Sequence, residues 1–111
     1  MNLTTQTHGA VQIITVEADR IDAAVAIQFK DKMREVVVGA DDRVVLNLEH
    51  VDFIDSSGLG AIVAAMKLMP DGRKLELSSL TANVDKVFRM TRMDSIFKIH
   101  ESVDAATQTA A

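Results

Sequence analysis

The run Val44-Val45-Leu46-Asn47-Leu48 restricts the possible folds of this chain more than any other. A strand with one face in water alternates apolar and polar residues. A run that is apolar at nearly every position has to be covered on both faces, as a central strand of a parallel or mixed sheet is. The residues downstream supply a helix for that cover. After Val51-Asp52-Phe53-Ile54, the apolar residues Leu59, Ile62, Val63 and Met66 fall at i, i+3, i+4 and i+7. The chain is therefore organised around a strand, a short connection and a helix that opens on Asp55-Ser56-Ser57-Gly58-Leu59-Gly60.

The flanking segments extend this unit. Residues 3–8 and 11–17 read as two β-branched strands turned at Gly9, an antiparallel hairpin at a sheet edge. A helix is expected over 23–38, with Ala26, Phe29, Met33, Val36 and Val37 on one face, Asp22 as its N-cap and Gly39 as its stop. Asp41-Asp42-Arg43 reads as a polar turn, and Pro70-Asp71-Gly72 ends the second helix. Residues 74–78 alternate around Leu75 and Leu77. The segment after Thr81 carries Val84, Val87, Phe88 and Thr91 at helical spacing, and residues 96–100 read as a last strand. Ser102 is placed to cap a short terminal helix through Ala110. The order ββαβαβαβα predicts one α/β domain over residues 1–111, with a mixed sheet of about five strands and helices packed against it.

Charge and composition narrow the function classes. A net charge of −4 and the lack of a basic patch argue against nucleic acid as a partner. Four Phe and no Trp or Tyr leave little to stack bases or sugars on. No apolar stretch approaches the roughly 20 residues a membrane helix needs, so no membrane insertion is expected. The first residues lack a secretory signal, and the expected location is cytoplasmic. There is no cysteine. His8, His50 and His100 are far apart and read as ordinary loop or strand-end residues, so neither a metal nor a cofactor is expected.

The serine stretch is the candidate site. A helix N-terminus presents unpaired N–H groups and partial positive charge, which either a side-chain cap or an anion satisfies. A nucleophile elbow would need Gly-x-Ser-x-Gly, and Ser56 and Ser57 follow Ile54 and Asp55 instead. A phosphate-cradling loop would need Lys-Ser/Thr after its glycines, and Gly58-Leu59-Gly60 offers none. The carboxylates of Asp52 and Asp55 carry no mark of a cleft, so the chain does not read as an enzyme. Gly58, Ala61, Ala64 and Ala65 form a face of small residues, which either close packing or alanine's helix propensity explains. Asp55 fits a plain N-cap as well as a functional acid. A phosphate added to a hydroxyl here would bring about −1.5 to −2 charges beside it.

Two stretches carry a resemblance. Val45-Leu46-Asn47-Leu48 with Val51-Asp52-Phe53-Ile54-Asp55-Ser56-Ser57-Gly58-Leu59-Gly60, and the later Val87-Phe88-Arg89-Met90-Thr91-Arg92-Met93-Asp94-Ser95-Ile96-Phe97-Lys98-Ile99, resemble STAS domains, specifically bacterial anti-sigma factor antagonists. The resemblance covers essentially the whole chain and implies a partner-switching mechanism. The unphosphorylated protein would bind an anti-sigma factor that is also a serine kinase. That kinase would phosphorylate Ser56 and dissociate, and a serine phosphatase would restore the active form. Asp22, Asp55, Ser57, Gly58, Leu59 and Gly60 would form the partner-binding surface around Ser56.

Two positions depart from the family pattern. Arg20 stands where an acid is common, and Arg92 where a glycine is usual. The alternatives are a STAS subunit of another assembly, such as a lipid-transport ATPase or another signalling complex, and a nucleotide-binding or hydrolytic protein using the helix N-terminus for phosphate.

Overall fold

The computed structural model describes residues 1–39, 43–70 and 73–108. The chain opens with β1 (Asn2–His8) and β2 (Val11–Glu17), antiparallel and in register from Asn2↔Glu17 to His8↔Val11. Gly9, at φ +62°, takes the first central place of the two-residue turn, where a side chain would be strained. After β3 (Arg20–Ile21) comes α1 (Ala26–Val37), then β4 (Arg43–Asn47), β5 (Phe53–Ile54) and α2 (Ser56–Lys67). The chain continues through β6 (Leu75–Ser78), α3 (Ala82–Met90), a 3₁₀ turn at Met93–Ser95, β7 (Ile99–His100) and α4 (Val103–Gln108). The main sheet runs β1-β2-β4-β6-β7. Its hairpin is antiparallel and the other pairings are parallel.

Alternation along the strands decides what each face meets. Ile14, Val16, Val44, Leu46, Leu75 and Leu77 point to the face covered by Phe29, Met33, Ile62, Val84 and Phe88 of the three longer helices. Phe88 meets Phe97 edge-on, with centroids 6.0 Å apart at 66°. Val11, Ile13 and Val45 point the other way and are closed over by Ala106 of α4. The expected central strand is therefore buried on both faces. Ser102 caps α4 through Oγ, which accepts from the Ala105 amide at 3.0 Å. No helix of the described residues is long and apolar enough to cross a membrane.

Several expectations need correction. Regular helix begins at Ala26 rather than Ala23, because the Ala23 amide is turned toward Asp55 and Ala23–Val25 form a separate lead-in turn. Asp22 closes that turn through its backbone carbonyl and a bond from the Ala24 amide to Oδ1, and does not cap the helix with its side chain. α1 ends at Val37 with no left-handed residue at Gly39. The last strand is only Ile99–His100, since the chain before it tightens into the 3₁₀ turn and leaves Ile96 exposed. Arg92, which precedes that turn, is left-handed at φ +60°, the conformation for which glycine would be the default. The small-residue face of α2 is a packing face: Gly58, Ala61 and Ala65 are buried, Gly58 directly against Ile21 of β3. The expected turn at Asp41-Asp42, the Asp71-Gly72 stop and the last turn of the terminal helix lie outside the described residues.

Candidate functional site

The two shortest strands build the site. β3 and β5 pair in parallel, Arg20 beside Phe53 and Ile21 beside Ile54, forming a two-stranded ladder separate from the main sheet. This ladder brings the entry to α1 against the start of α2. Asp55, extended at φ −107° and ψ −175°, is the N-cap of α2, and its Oδ1 accepts from the Gly58 amide at 2.9 Å. Its Oδ2 accepts from the Ala23 amide at 3.2 Å, so one carboxylate ties two helix starts together.

Ser56 is the first residue of α2 and is exposed, as is Ser57. Neither hydroxyl has a hydrogen-bond partner among the described residues. The adjacent carboxylate is already engaged by two amides and is not placed as a base for Ser56. The site therefore offers an accessible hydroxyl at the positive end of a helix, with no proton acceptor aimed at it among the described residues.

The structure separates the other candidate residues. Gly58 and Leu59 are buried and Gly60 is exposed. At Gly58 an added Cβ would lie 1.9 Å from the Ile21 carbonyl oxygen and 2.8 Å from its carbon, so β3 fits against α2 only because this residue is glycine. At Gly60 a Cβ would meet nothing within 4 Å. Asp22 is partly buried and pairs with Arg20 Nε at 3.2 Å. The Arg20 guanidinium lies 5.1 Å from the centroid of the Phe53 ring. The unusual cation is thus held between an acid and an aromatic ring at the edge of the site. Phe53 remains 45% exposed and Ile27, the second residue of α1, 69%.

A second polar cluster lies on the opposite face of the sheet. Glu76 takes Arg43 Nε and Nη2 at 2.8 and 2.6 Å, and its Oε1 is 2.7 Å from His100 Nε2. Arg43 Nη2 also donates to the Ala106 carbonyl at 3.2 Å, joining three strands to α4. His100 is therefore a buried network residue rather than an ordinary strand-end histidine. Alternation with Leu75 and Leu77 puts Glu76 on the other face of its strand, and no local pattern in the sequence marks that face as covered, so the network had no sequence signal. Burial raises the Glu76 carboxyl, but the bonds from Arg43 and His100 outweigh that and hold it below its ordinary value.

The double role of Asp55 gives a direct test. Asp55→Ala should cost about 1–2 kcal/mol, because it removes the α2 cap and the tie to Ala23. Asp55→Asn, which keeps an acceptor oxygen, should cost less. Urea unfolding with both variants measures the difference, and a loss in Asp55→Ala below a few tenths of a kcal/mol would contradict the capping geometry.

Comparison with known proteins agrees with this arrangement. The STAS domain family matches residues 2–106. A Bordetella bronchiseptica protein named as anti-sigma factor antagonist BtrV is 31% identical over 87 residues, which span 78% of this chain and 75% of that protein. An anti-sigma factor antagonist from Mycobacterium paratuberculosis superposes with a TM-score of 0.85 at 20% identity, covering 98% of this chain and 92% of that one. The phosphorylated form of the Bacillus cell fate determinant SpoIIAA superposes with a TM-score of 0.69 at 18% identity, covering 99% and 100% of the two chains. With a central strand buried on both faces, a helix capped by Asp55 and a family match over nearly its whole length, the chain belongs to the STAS domain family.

Proposed function

We propose that this chain is an anti-sigma factor antagonist whose binding is switched off by phosphorylation at Ser56. The observation that supports the reading best is the exposed Ser56 hydroxyl at the first position of α2, beside a carboxylate that is fully used as a cap. In the unphosphorylated state the end of the molecule around Asp22, Ser57, Gly60 and Phe53 docks on an anti-sigma factor that is also an ATP-dependent serine kinase. The kinase then transfers a phosphoryl group. The Ser56 oxygen bonds to the γ-phosphorus, the bond to ADP breaks, and the hydroxyl proton leaves to a base supplied by the kinase.

The phosphate arrives where the α2 N-terminus stabilises negative charge, so the fold tolerates it. The partner meets about two new negative charges at a desolvating contact, and the complex dissociates. A serine phosphatase reverses the change. Gly58 and Leu59 serve this surface from within, by setting where α2 begins relative to β3.

The test is phosphopeptide mapping after incubation with the cognate kinase and ATP, followed by binding measurements. Modification at Ser56 is expected. Ser56→Ala should stay bound in the presence of ATP, whereas Ser56→Asp should bind about 10–100-fold more weakly. If Ser56 stays unmodified, the switch is wrong. Undiminished binding by Ser56→Asp would instead indicate a static docking surface, as in a STAS subunit of a non-sigma assembly.

A further inference from the structure

The two edges of the main sheet are finished differently. At one edge, β7 is only two residues long, preceded by a 3₁₀ turn and followed within a few residues by α4, so it offers little backbone to another chain. At the other edge, β1 runs seven residues in unbroken register with β2, with no bulge. Six of its seven residues are exposed and Leu3 is partly buried. Its sequence, Asn-Leu-Thr-Thr-Gln-Thr-His, contains no Lys, Arg, Asp, Glu or Pro. Charges, prolines, bulges and short length are the usual means by which an edge strand avoids pairing, and β1 has none of them.

The hairpin decides which backbone groups are free. With a two-residue turn, His8 and Val11 close the ladder as a hydrogen-bonded pair, and such pairs alternate along the strands. Asn2, Thr4, Gln6 and His8 therefore spend their amides and carbonyls on β2. Leu3, Thr5 and Thr7 point theirs outward. We propose that β1 is a homodimerisation edge, on which a second copy of this chain pairs antiparallel about a two-fold axis at Thr5.

In that register Thr5 faces the partner's Thr5 and Leu3 faces the partner's Thr7, and the outward groups of these residues make about six hydrogen bonds. Thr4 meets the partner's Gln6, and no side chain directly across the axis carries a formal negative or Lys/Arg charge. This neutrality is the reason a second copy fits: each molecule has a net charge of −4, and β1 lets two of them meet without setting like charges opposite each other. An antiparallel β1–β1 contact also uses the same surface on both copies and closes as a dimer, and β7 is too short to accept β1 and start a filament. The contact uses mainly backbone and small polar side chains, so the dimer is weak. It is independent of the reading of Ser56.

Sedimentation velocity of the full chain over a concentration series reaching about 1 mM tests this. The sedimentation coefficient of the wild type should rise from that of a monomer toward that of a dimer. Thr5→Lys puts two ammonium groups at the axis and should remain monomeric across the series, with an unchanged circular dichroism spectrum. Thr5→Val keeps strand propensity and should dimerise at least as well as the wild type. A wild type that stays monomeric to the top of the series overturns the proposal. So does a dimer that survives in folded Thr5→Lys, since the contact then lies elsewhere.

Discussion

Gly58→Ala should destabilise the domain by about 3–5 kcal/mol, although it adds only a methyl group. The added carbon would sit 1.9 Å from the Ile21 carbonyl oxygen. A flexible side chain could swing away from such a clash, but a strand backbone cannot. The Ile21 carbonyl is also tied by a hydrogen bond that it accepts from the Asp55 amide at 3.4 Å. Relief requires β3 to separate from β5, which loosens the Ile21↔Ile54 pairing and the bond from Ala23 to Asp55. Against a total stability of about 5–15 kcal/mol for a domain, this is a large fraction. For a chain of this size it corresponds to a drop of about 15 °C in the thermal midpoint, readable by circular dichroism.

Gly60→Ala is the control, two residues further along the same helix. Its added carbon meets nothing within 4 Å, so the higher helix propensity of alanine should stabilise the domain by about 0.5–1 kcal/mol. If Gly60 also belongs to the docking surface, the more stable variant should bind its partner less well. Equal losses of stability at the two glycines would contradict the geometry of the α2–β3 contact.

These two glycines show what could and could not be read from the chain. Periodicity identified the β-branched strand at residues 44–48 and the helix after it, because burial on both faces leaves a continuous apolar run. It also placed Asp55 at a helix start. Both inferences depend on local pattern alone. The pairing of β3 with β5 is only two residues long at each strand, too short for any alternation to mark, and it is this pairing that makes Gly58 obligatory. The shift of the α1 start from Ala23 to Ala26 has the same origin, since the amide of Ala23 answers to Asp55, 32 residues away. Arg92 could be singled out by comparison with a family pattern, and its left-handed backbone bears that out. His100 was illegible for another reason. Its burial depends on the register of β6 against β7, which sets Ser78 beside it and Glu76 within reach.

Removing that carboxylate should produce the other large effect. Glu76→Ala would leave Arg43 with only the Ala106 carbonyl among the described residues, and its Nη1 already lacks a partner. His100, 6% exposed at its side chain, would lose its partner as well. Breaking a buried ion pair on one side costs about 3–5 kcal/mol; the Arg43 side chain is 23% exposed, which lowers the expectation to about 2–4 kcal/mol. Hydrogen exchange should localise the change to α4, which Arg43 holds through Ala106. The Ser56 surface, on the other side of the molecule's ladder of strands, should keep its partner affinity.

Glu76→Gln isolates the charge, and pH supplies the decisive comparison. The folded state holds the Glu76 carboxyl below its ordinary value of 4.5, against burial, through Arg43 and His100. A carboxyl lowered by folding contributes stability that is fully present above its unfolded value and is lost as pH falls through the lowered folded value. At pH 7 the wild type should therefore be more stable than Glu76→Gln. As pH falls below about 4.5 the unfolded chain's carboxyl takes up its proton first, and the folded one only further down at its lowered value, so the gap should narrow progressively. Urea unfolding of both proteins from pH 7 down to about 3 measures it. A gap that stays constant through this range would mean that the charge of Glu76 does not stabilise the fold and that only the shape of its hydrogen bonds does.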